Sequence, residues 1–340
     1  MADTDTPRTT PTGPAGGAGP AGGAGPAGGA GPGQPEREFT VTAMTQRELV
    51  TRRFLRHRGA IAGVVIFLFT VVLAFSSIGV SGVPGWWGQS YATTGVVTDG
   101  GVPTASLWPF RVGEHPFGQD DVGRDYFALT MRGAQRSILI AVLVGVVSTG
   151  IGVLAGALAG FFRGWVENVL MRVTDLLLTV PLLLIAAVFG RIGGGGGPVR
   201  LALLLGLLVW MSLARLVRGE FLSLREKEFV EAARAMGAGS GRIIFRHILP
   251  NSIGTIIVNA TLTIAAAILL ETALSYLGFG VQDPDTSLGK LISDYQSAFQ
   301  TRPWLFWWPG LFIIAIALSV NFIGDGLRDA FDPKQTRVRA

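Results

Sequence analysis

Apolar residues in this chain come in long blocks separated by short charged segments. No charge occurs from Gly59 to Thr98, and Ile61–Gly79 is dense in Val, Ile, Leu and Phe. Residues 137–162, 248–270 and 303–324 are likewise uncharged. A bilayer core takes about 20 apolar residues as helix, so each block predicts a membrane span. Two weaker blocks complete the set. Val173–Gly190 carries Asp175 near one end and Pro181 inside, and Val199–Val217 is uncharged only over Leu201–Ala214. The pattern predicts an all-α polytopic protein with six spans, at about 61–80, 137–162, 171–190, 199–217, 250–274 and 304–324. These lie in one six-span domain, 41–335, with an outer loop at 81–136 and an inner loop at 218–249.

Composition sharpens this. Of the 340 residues, 15% are charged and 49% hydrophobic, with mean hydropathy +0.46. Ordinary soluble chains carry about 25% charge. The 48 glycines are unevenly placed, and GPAGGA occurs at 13–18, 19–24 and 25–30. Glycine at every third position from Gly13 to Gly31 has the formal collagen period. So short a run reads instead as a disordered Gly/Pro/Ala-rich cytoplasmic tail over 1–40, and residues 336–340 form a short C-terminal tail. With no cysteine, disulfides and thiolate chemistry are excluded. His57, His115 and His247 are too scattered for a local metal motif, and no metal site is expected. His247 reads as a structural residue.

The net charge of +5 is explained by orientation. With the N-terminus inside, Lys and Arg number 20 in the inner segments and 8 in the outer ones. The positive-inside rule then places both termini in the cytoplasm. Arg52, Arg53, Arg56 and Arg58, just before the first span, suit anionic lipid of the inner leaflet, so no nucleic acid partner is needed.

The inner loop contains EKEFVEAARAMGAGSGRIIFRHILPN from Glu226. Phe229, Ala232, Ala233 and Met236 fall at i, i+3, i+4 and i+7, one apolar stripe of a short helix. Glu226, Glu228 and Glu231 gather toward its N-terminus, where the helix dipole favours them, and Gly237, Gly239 and Gly241 end it. A short amphipathic helix on the inner face has two readings: it lies on lipid, or it docks on a protein, which its small residues favour.

Glu231-Ala232-Ala233, then Gly237, then Leu249-Pro250 resembles the EAA loop of ABC importer permeases, with His247 at a position where isoleucine is usual. RHILPN (Arg246–Asn251) resembles the dipeptide, oligopeptide and nickel branch in particular. HPFGQDDVGRDYFALTMRGAQRSI (His115–Ile138), MRVTDLLLTVP (Met171–Pro181), ILLETALSYLGFGVQDP (Ile268–Pro284) and NFIGDGLRDAFDPK (Asn321–Lys334) are similar to segments of the C-type subunits of that branch. The resemblance covers about residues 50–335. Gln119 stands where threonine is usual, and Ser287-Leu288-Gly289 where a tryptophan normally precedes the glycine.

The resemblance implies a type I ABC importer permease fold and a place in a larger complex of the bacterial plasma membrane. The partners it implies are a second homologous permease, two ABC ATPase subunits carrying ATP and Mg, and an extracytoplasmic solute-binding protein. Glu231, Ala232, Ala233, Gly237, Leu249 and Pro250 would couple this chain to an ATPase. Peptides lead as cargo, with nickel or another small solute as alternatives.

Glu271 and Asp175 each have two readings. Glu271 is a pathway group, or a carboxylate at the water interface or hydrogen-bonded to a neighbouring helix. Asp175 is a substrate group, or pairs with Arg172 at i, i+3. Trp304, Phe306, Trp307 and Trp308 read as an interfacial belt. Asp120, Asp121, Arg124 and Asp125 read as a structural or interface cluster, and Asp325, Arg328, Asp329 and Asp332 as a solvated end. No P-loop occurs, because Gly289-Lys290 is followed by Leu291, and neither H-E-x-x-H nor G-x-S-x-G is present. The chain is therefore not expected to be an enzyme. A self-contained secondary transporter or channel is the rival class. It would be expected to show repeats, helices broken at mid-membrane or buried coupling residues.

Overall fold

The computed structural model describes residues 45–80, 82–107, 110–192 and 197–332. The tails predicted at 1–40 and 336–340 lie outside these residues. The helices are α1 (Gln46–Arg56), α2 (Arg58–Ser77), α3 (Tyr126–Phe162), α4 (Gly164–Thr179), α5 (Leu182–Ile192), α6 (Pro198–Val209), α7 (Met211–Leu224), α8 (Glu228–Ala235), α9 (Ser240–Arg242), α10 (Leu249–Tyr276), α11 (Leu288–Tyr295) and α12 (Trp304–Phe331). Two antiparallel ribbons, Gly79–Val80 with Val83–Pro84 and Ser106–Leu107 with Phe110–Arg111, lie between α2 and α3.

Among the described residues, four helices are long and apolar enough to cross a membrane, and six if each bent pair counts as one span. The third and fourth predicted spans are the bent ones. Pro181 follows α4, and α5 leaves it at 83°; α6 and α7 meet at 45° around Trp210. Proline removes a helical N–H and crowds the preceding turn, which accounts for the sharper break. Broken spans were the expected mark of a secondary transporter, and the third and fourth spans show them. Outward-facing side chains such as Val65, Phe69 and Val72 on α2 and Leu184 on α5 are apolar and exposed.

At the centre is α3, whose 37 residues extend about 55 Å. It begins at Tyr126, well inside the predicted outer loop of 81–136. Charge misled the sequence reading here, because Arg132 and Arg136 interrupt the apolar block. Both face Asp285, at 3.4 and 3.0 Å, so the helix carries them at its paired end. The seam between α3 and α7 is built on Gly152, Gly156 and Gly160. A Cβ on Gly156 would lie 2.5 Å from the Ala214 carbonyl oxygen, and one on Gly160 would lie 2.6 Å from Phe221 Cβ. Small residues four apart let helix backbones approach closely without hydrophobic drive from lipid.

Around the N-terminal end of α3 sits a cap formed by α11 and the described residues between Gly79 and Asp125. Asp125 caps α3 by accepting from Ala128 N, and also meets Trp87 Nε1 at 2.8 Å and His115 Nδ1 at 2.9 Å. Fully buried Asp120 accepts from the backbone N–H of Val122 and Arg124, from Arg124 Nε at 2.6 Å and from the Tyr295 hydroxyl at 2.9 Å. Burial and the Asp120 charge push the Tyr295 phenol well above its ordinary pKa, so it keeps the proton it donates. Gln119, the departure from the usual threonine, is buried and ties Thr98 N to the carbonyls of Val96 and Gly123. The predicted aromatic belt divides. Trp307 is exposed, whereas Trp308 stacks on Phe117 at 3.8 Å and Trp304 packs with it in the cap's apolar cluster.

Candidate functional site

At the opposite end of α3, α8 rests on a second apolar cluster. Its Val230 and Ala233 are buried among Ala157 and Phe161 of α3, Leu213, Val217 and Phe221 of α7, and Ile243, Ile244 and Ile248. The inward face is therefore Val230 and Ala233, so that of the stripe read from the sequence only Ala233 turns inward. Phe229, Ala232 and Met236 point outward, and Met236 is 80% exposed. This eight-residue helix thus has two apolar faces, one packed on the cluster and one exposed. Glu231 is exposed and has no partner among the described residues.

Gly237 has φ 79 and lies just beyond the end of α8. Its N–H bonds to the Arg234 carbonyl, and Ala238 N reaches back to Ala233 O. This left-handed closure satisfies the carbonyls that a helix end leaves orphaned. Beyond it, α9, a π-helical segment Ile243–Ile248 and α10 run on as one rod, Ser240–Tyr276. Leu249 and Pro250 open α10, but within a continuing helix rather than at a free helix start. A proline there would cost a helical hydrogen bond. The wider π turns just before it absorb the mismatch, and Asn251 Nδ2 covers the His247 carbonyl at 2.6 Å.

The base of α8 is tied to the end of α3. Arg225 Nη1 donates to the Phe161 carbonyl at 2.5 Å, and Arg163 Nη2 reaches Glu226 Oε1 at 2.7 Å. Arg234 of α8 lies over the Phe161 ring. Desolvation lowers the Arg225 pKa, the Arg163 and Arg234 cations push it the same way, and Glu226 pulls against them. Between α3 and α4, Arg163 sits at φ 53, ψ −170, a region that costs a non-glycine residue about 1–3 kcal/mol. No sequence signal singled out this joint, although Arg163-Gly164 directly after an uncharged run marks the break.

Glu271 is fully buried rather than at a water interface. It accepts from Ser137 Oγ on α3 at 3.0 Å and from Ser275 Oγ at 2.7 Å. Ser275 also takes Val281 N and the Ser287 hydroxyl, and Ser137 takes Leu288 N. Each hydroxyl thus donates onward while accepting, which is how a buried carboxylate avoids a desolvation penalty. This lattice joins α10, α3 and α11 around Glu271. Asp175 pairs with Arg215 on α7 at 2.5 Å, not with Arg172, because α4 turns that face toward α7. Glu167 and Arg218 repeat the same crossing. The expected solvated end is also engaged. Asp329 lies 3.4 Å from His57 Nε2, and Arg53 Nη1 donates to the Asp332 carbonyl. Among the described residues no group of three His, Asp or Glu side chains could hold a metal ion.

The geometry is that of a polytopic helical membrane protein with a short amphipathic helix, α8, seated at one end of α3. Residues 152–337 match the family described as binding-protein-dependent transport system inner membrane component. The oligopeptide transport system permease protein OppC of Mycobacterium tuberculosis is 43% identical over 296 residues, covering 87% of this chain and 97% of that relative. A putative peptide permease protein of Brucella ovis is 41% identical over 83% of this chain and 89% of its own length. OppC of Bacillus subtilis is 36% identical over 83% and 88%. A chain of the MetNI methionine ABC transporter, solved in inward-facing conformations, shares the fold with TM-score 0.50 at 19% identity, covering 60% of this chain and 97% of that one. This protein belongs to the binding-protein-dependent transport system inner membrane component family, the membrane permeases of ABC importers. It has their type I fold and is an integral membrane subunit.

Proposed function

We propose that this chain imports short peptides as the membrane subunit of an ATP-driven complex, and that α8 is where it takes its drive from an ATPase. The observation that carries the coupling reading is the division of α8. Val230 and Ala233 anchor it, while Phe229, Ala232, Met236 and Glu231 face outward. Three curated relatives bearing peptide or oligopeptide permease names support the cargo. Glu231, Ala232, Ala233, Gly237, Leu249 and Pro250 together form the coupling element, in which Gly237 closes the helix and Leu249-Pro250 joins it to α10.

In this reading ATP and Mg are bound by two partner ATPase subunits, and the chain itself is not an enzyme and holds no cofactor. A second homologous permease completes the pathway, and an extracytoplasmic binding protein selects the cargo. Both termini and α8 face the cytoplasm of a bacterial cell, as the excess of Lys and Arg in those segments favours. Movement of α8 on ATP binding and hydrolysis switches the spans between outward- and inward-facing states. The test is reconstitution of the complex in vesicles with its binding protein. Peptide uptake that requires ATP and is lost with Glu231→Lys supports the reading. Uptake by this chain alone, or an ATPase that stays bound and coupled after Glu231→Lys, overturns it.

A further inference from the structure

We infer that the joint between α3 and α4 is a second attachment of the coupling loop, at which Arg163 and Arg225 act as positioning residues that carry the movement of α8 into α3. This rests on the reading of α8 as the ATPase contact.

Three independent observations converge on the joint. The first is conformational. Arg163 holds φ 53, ψ −170, and the next residue, Gly164, is at φ 60. Glycine takes such a backbone freely, so a long cationic side chain at position 163 is the harder choice for the turn itself. The second is the destination of that side chain, Glu226, 63 residues away in sequence and at 2.7 Å. The third is the reciprocal bond, from Arg225 to the Phe161 carbonyl at the last turn of α3. Adjacent residues of the loop, Arg225 and Glu226, thus grip Phe161 and Arg163 of the joint, one from each side. Glu226 and Arg225 immediately precede α8, Phe161 shares the apolar cluster of Val230 and Ala233, and Arg234 covers its ring.

Displacement of α8 therefore has a rigid route into α3 besides its covalent link to α10. The same helix runs unbroken to Tyr126, whose hydroxyl bonds the Leu305 carbonyl in the cap. One rod thus joins the driven end to the end that faces incoming cargo.

A purely architectural role makes a different prediction from this one. The Arg163–Glu226 pair is largely exposed, at 45% and 58%, and exposed pairs contribute little to stability. Glycine at position 163 would also relieve the backbone. If architecture were all, Arg163→Gly would leave the complex at least as stable and as active as before. Our inference expects the melting temperature to hold or rise and the ATPases to co-purify, yet peptide imported per ATP hydrolysed to fall about fivefold or more, a typical size for coupling between sites. Glu226→Gln, which leaves the Arg163 backbone untouched, should show the same loss. The charge swap Arg163→Glu with Glu226→Arg should recover coupling relative to either single change.

The experiment uses the assembled complex in vesicles with binding protein and a radiolabelled oligopeptide. Wild-type import per ATP in both Arg163→Gly and Glu226→Gln would overturn the inference, as would a swap no better than the worse single variant. Glu231→Lys, run in parallel, separates the two levels of argument. If it releases the ATPases while Arg163→Gly couples normally, the clamp is wrong and the docking helix stands. If it leaves the ATPases bound and driving transport, the reading of α8 fails first.

Discussion

The two ends of α3 handle charge in opposite ways. In the cap, Asp120 accepts four hydrogen bonds, and Asp125 is shared by Trp87, His115 and the first turn of α3. Asp285 is held between two guanidiniums. At the other end, α8 leaves Glu231, Phe229, Ala232 and Met236 exposed, and the Glu231 side chain has no hydrogen-bond or ion-pair partner among the described residues. Buried charge is tolerated only when paired, so the cap is complete in itself. An exposed carboxylate carries no such obligation. Polar residues in the cap serve the chain's own architecture, whereas Glu231 on α8 stays exposed, as the proposed ATPase contact requires.

The contrast can be broken in graded steps. The seam beneath both ends comes first. Gly156→Leu would drive a side chain into the Ala214 carbonyl, already 2.5 Å from a bare Cβ, so folded subunit should be lost from detergent extracts, as measured by size-exclusion chromatography. Next is the closed end. Asp120→Ala strands Arg124 and Tyr295 and should cost about 3 kcal/mol. That figure is the low end of the range, because Arg124 is 35% exposed. It should lower the melting temperature while each surviving folded molecule still binds ATPase. An unchanged melting temperature would remove the basis for calling the cap self-contained.

Glu231→Lys tests the open end. It reverses a charge near the start of α8, worth only about 0.3–1 kcal/mol, so melting should barely move while ATPase association and transport are lost. The smallest effect is expected at Gly237. A Cβ there meets open space, but φ is 79, and the left-handed backbone costs an alanine roughly 1 kcal/mol. Gly237→Ala should speed amide hydrogen exchange over the last turn of α8 and leave the cap unaffected.

The sequence exposed the parts of the fold that depend on one segment at a time. Long uncharged blocks marked α2, α3, α10 and α12, and the EAA pattern located α8 together with its closing Gly237. What it hid depends on pairs of distant segments. Arg132 and Arg136 looked like loop residues until Asp285, roughly 150 positions on, was seen to neutralise them. Asp175 had an i, i+3 candidate in Arg172, but the fold supplied Arg215 from the helix α4 packs against. Glu271 looked surface-bound because it ends an uncharged run. Its three serine neighbours come from positions 137, 275 and 287, and only Ser275 is local. The clamp at Arg163 was invisible because its meaning lies in a backbone angle and a partner two spans away.

The π-helical segment Ile243–Ile248 sets the rotational phase of everything beyond it. Each residue of an α-helix turns the next by about 100°, and the wider turn fits one more residue into a similar rise. Winding the same six residues as a regular α-helix would leave every motif of the chain intact. It would also swing Glu271 away from Ser137, turn Gly254 off Phe331, and rotate the face that α10 offers to α12. The azimuth of α10, and with it the whole buried serine lattice, is fixed at the root of the rod beside α8, more than twenty residues before Glu271.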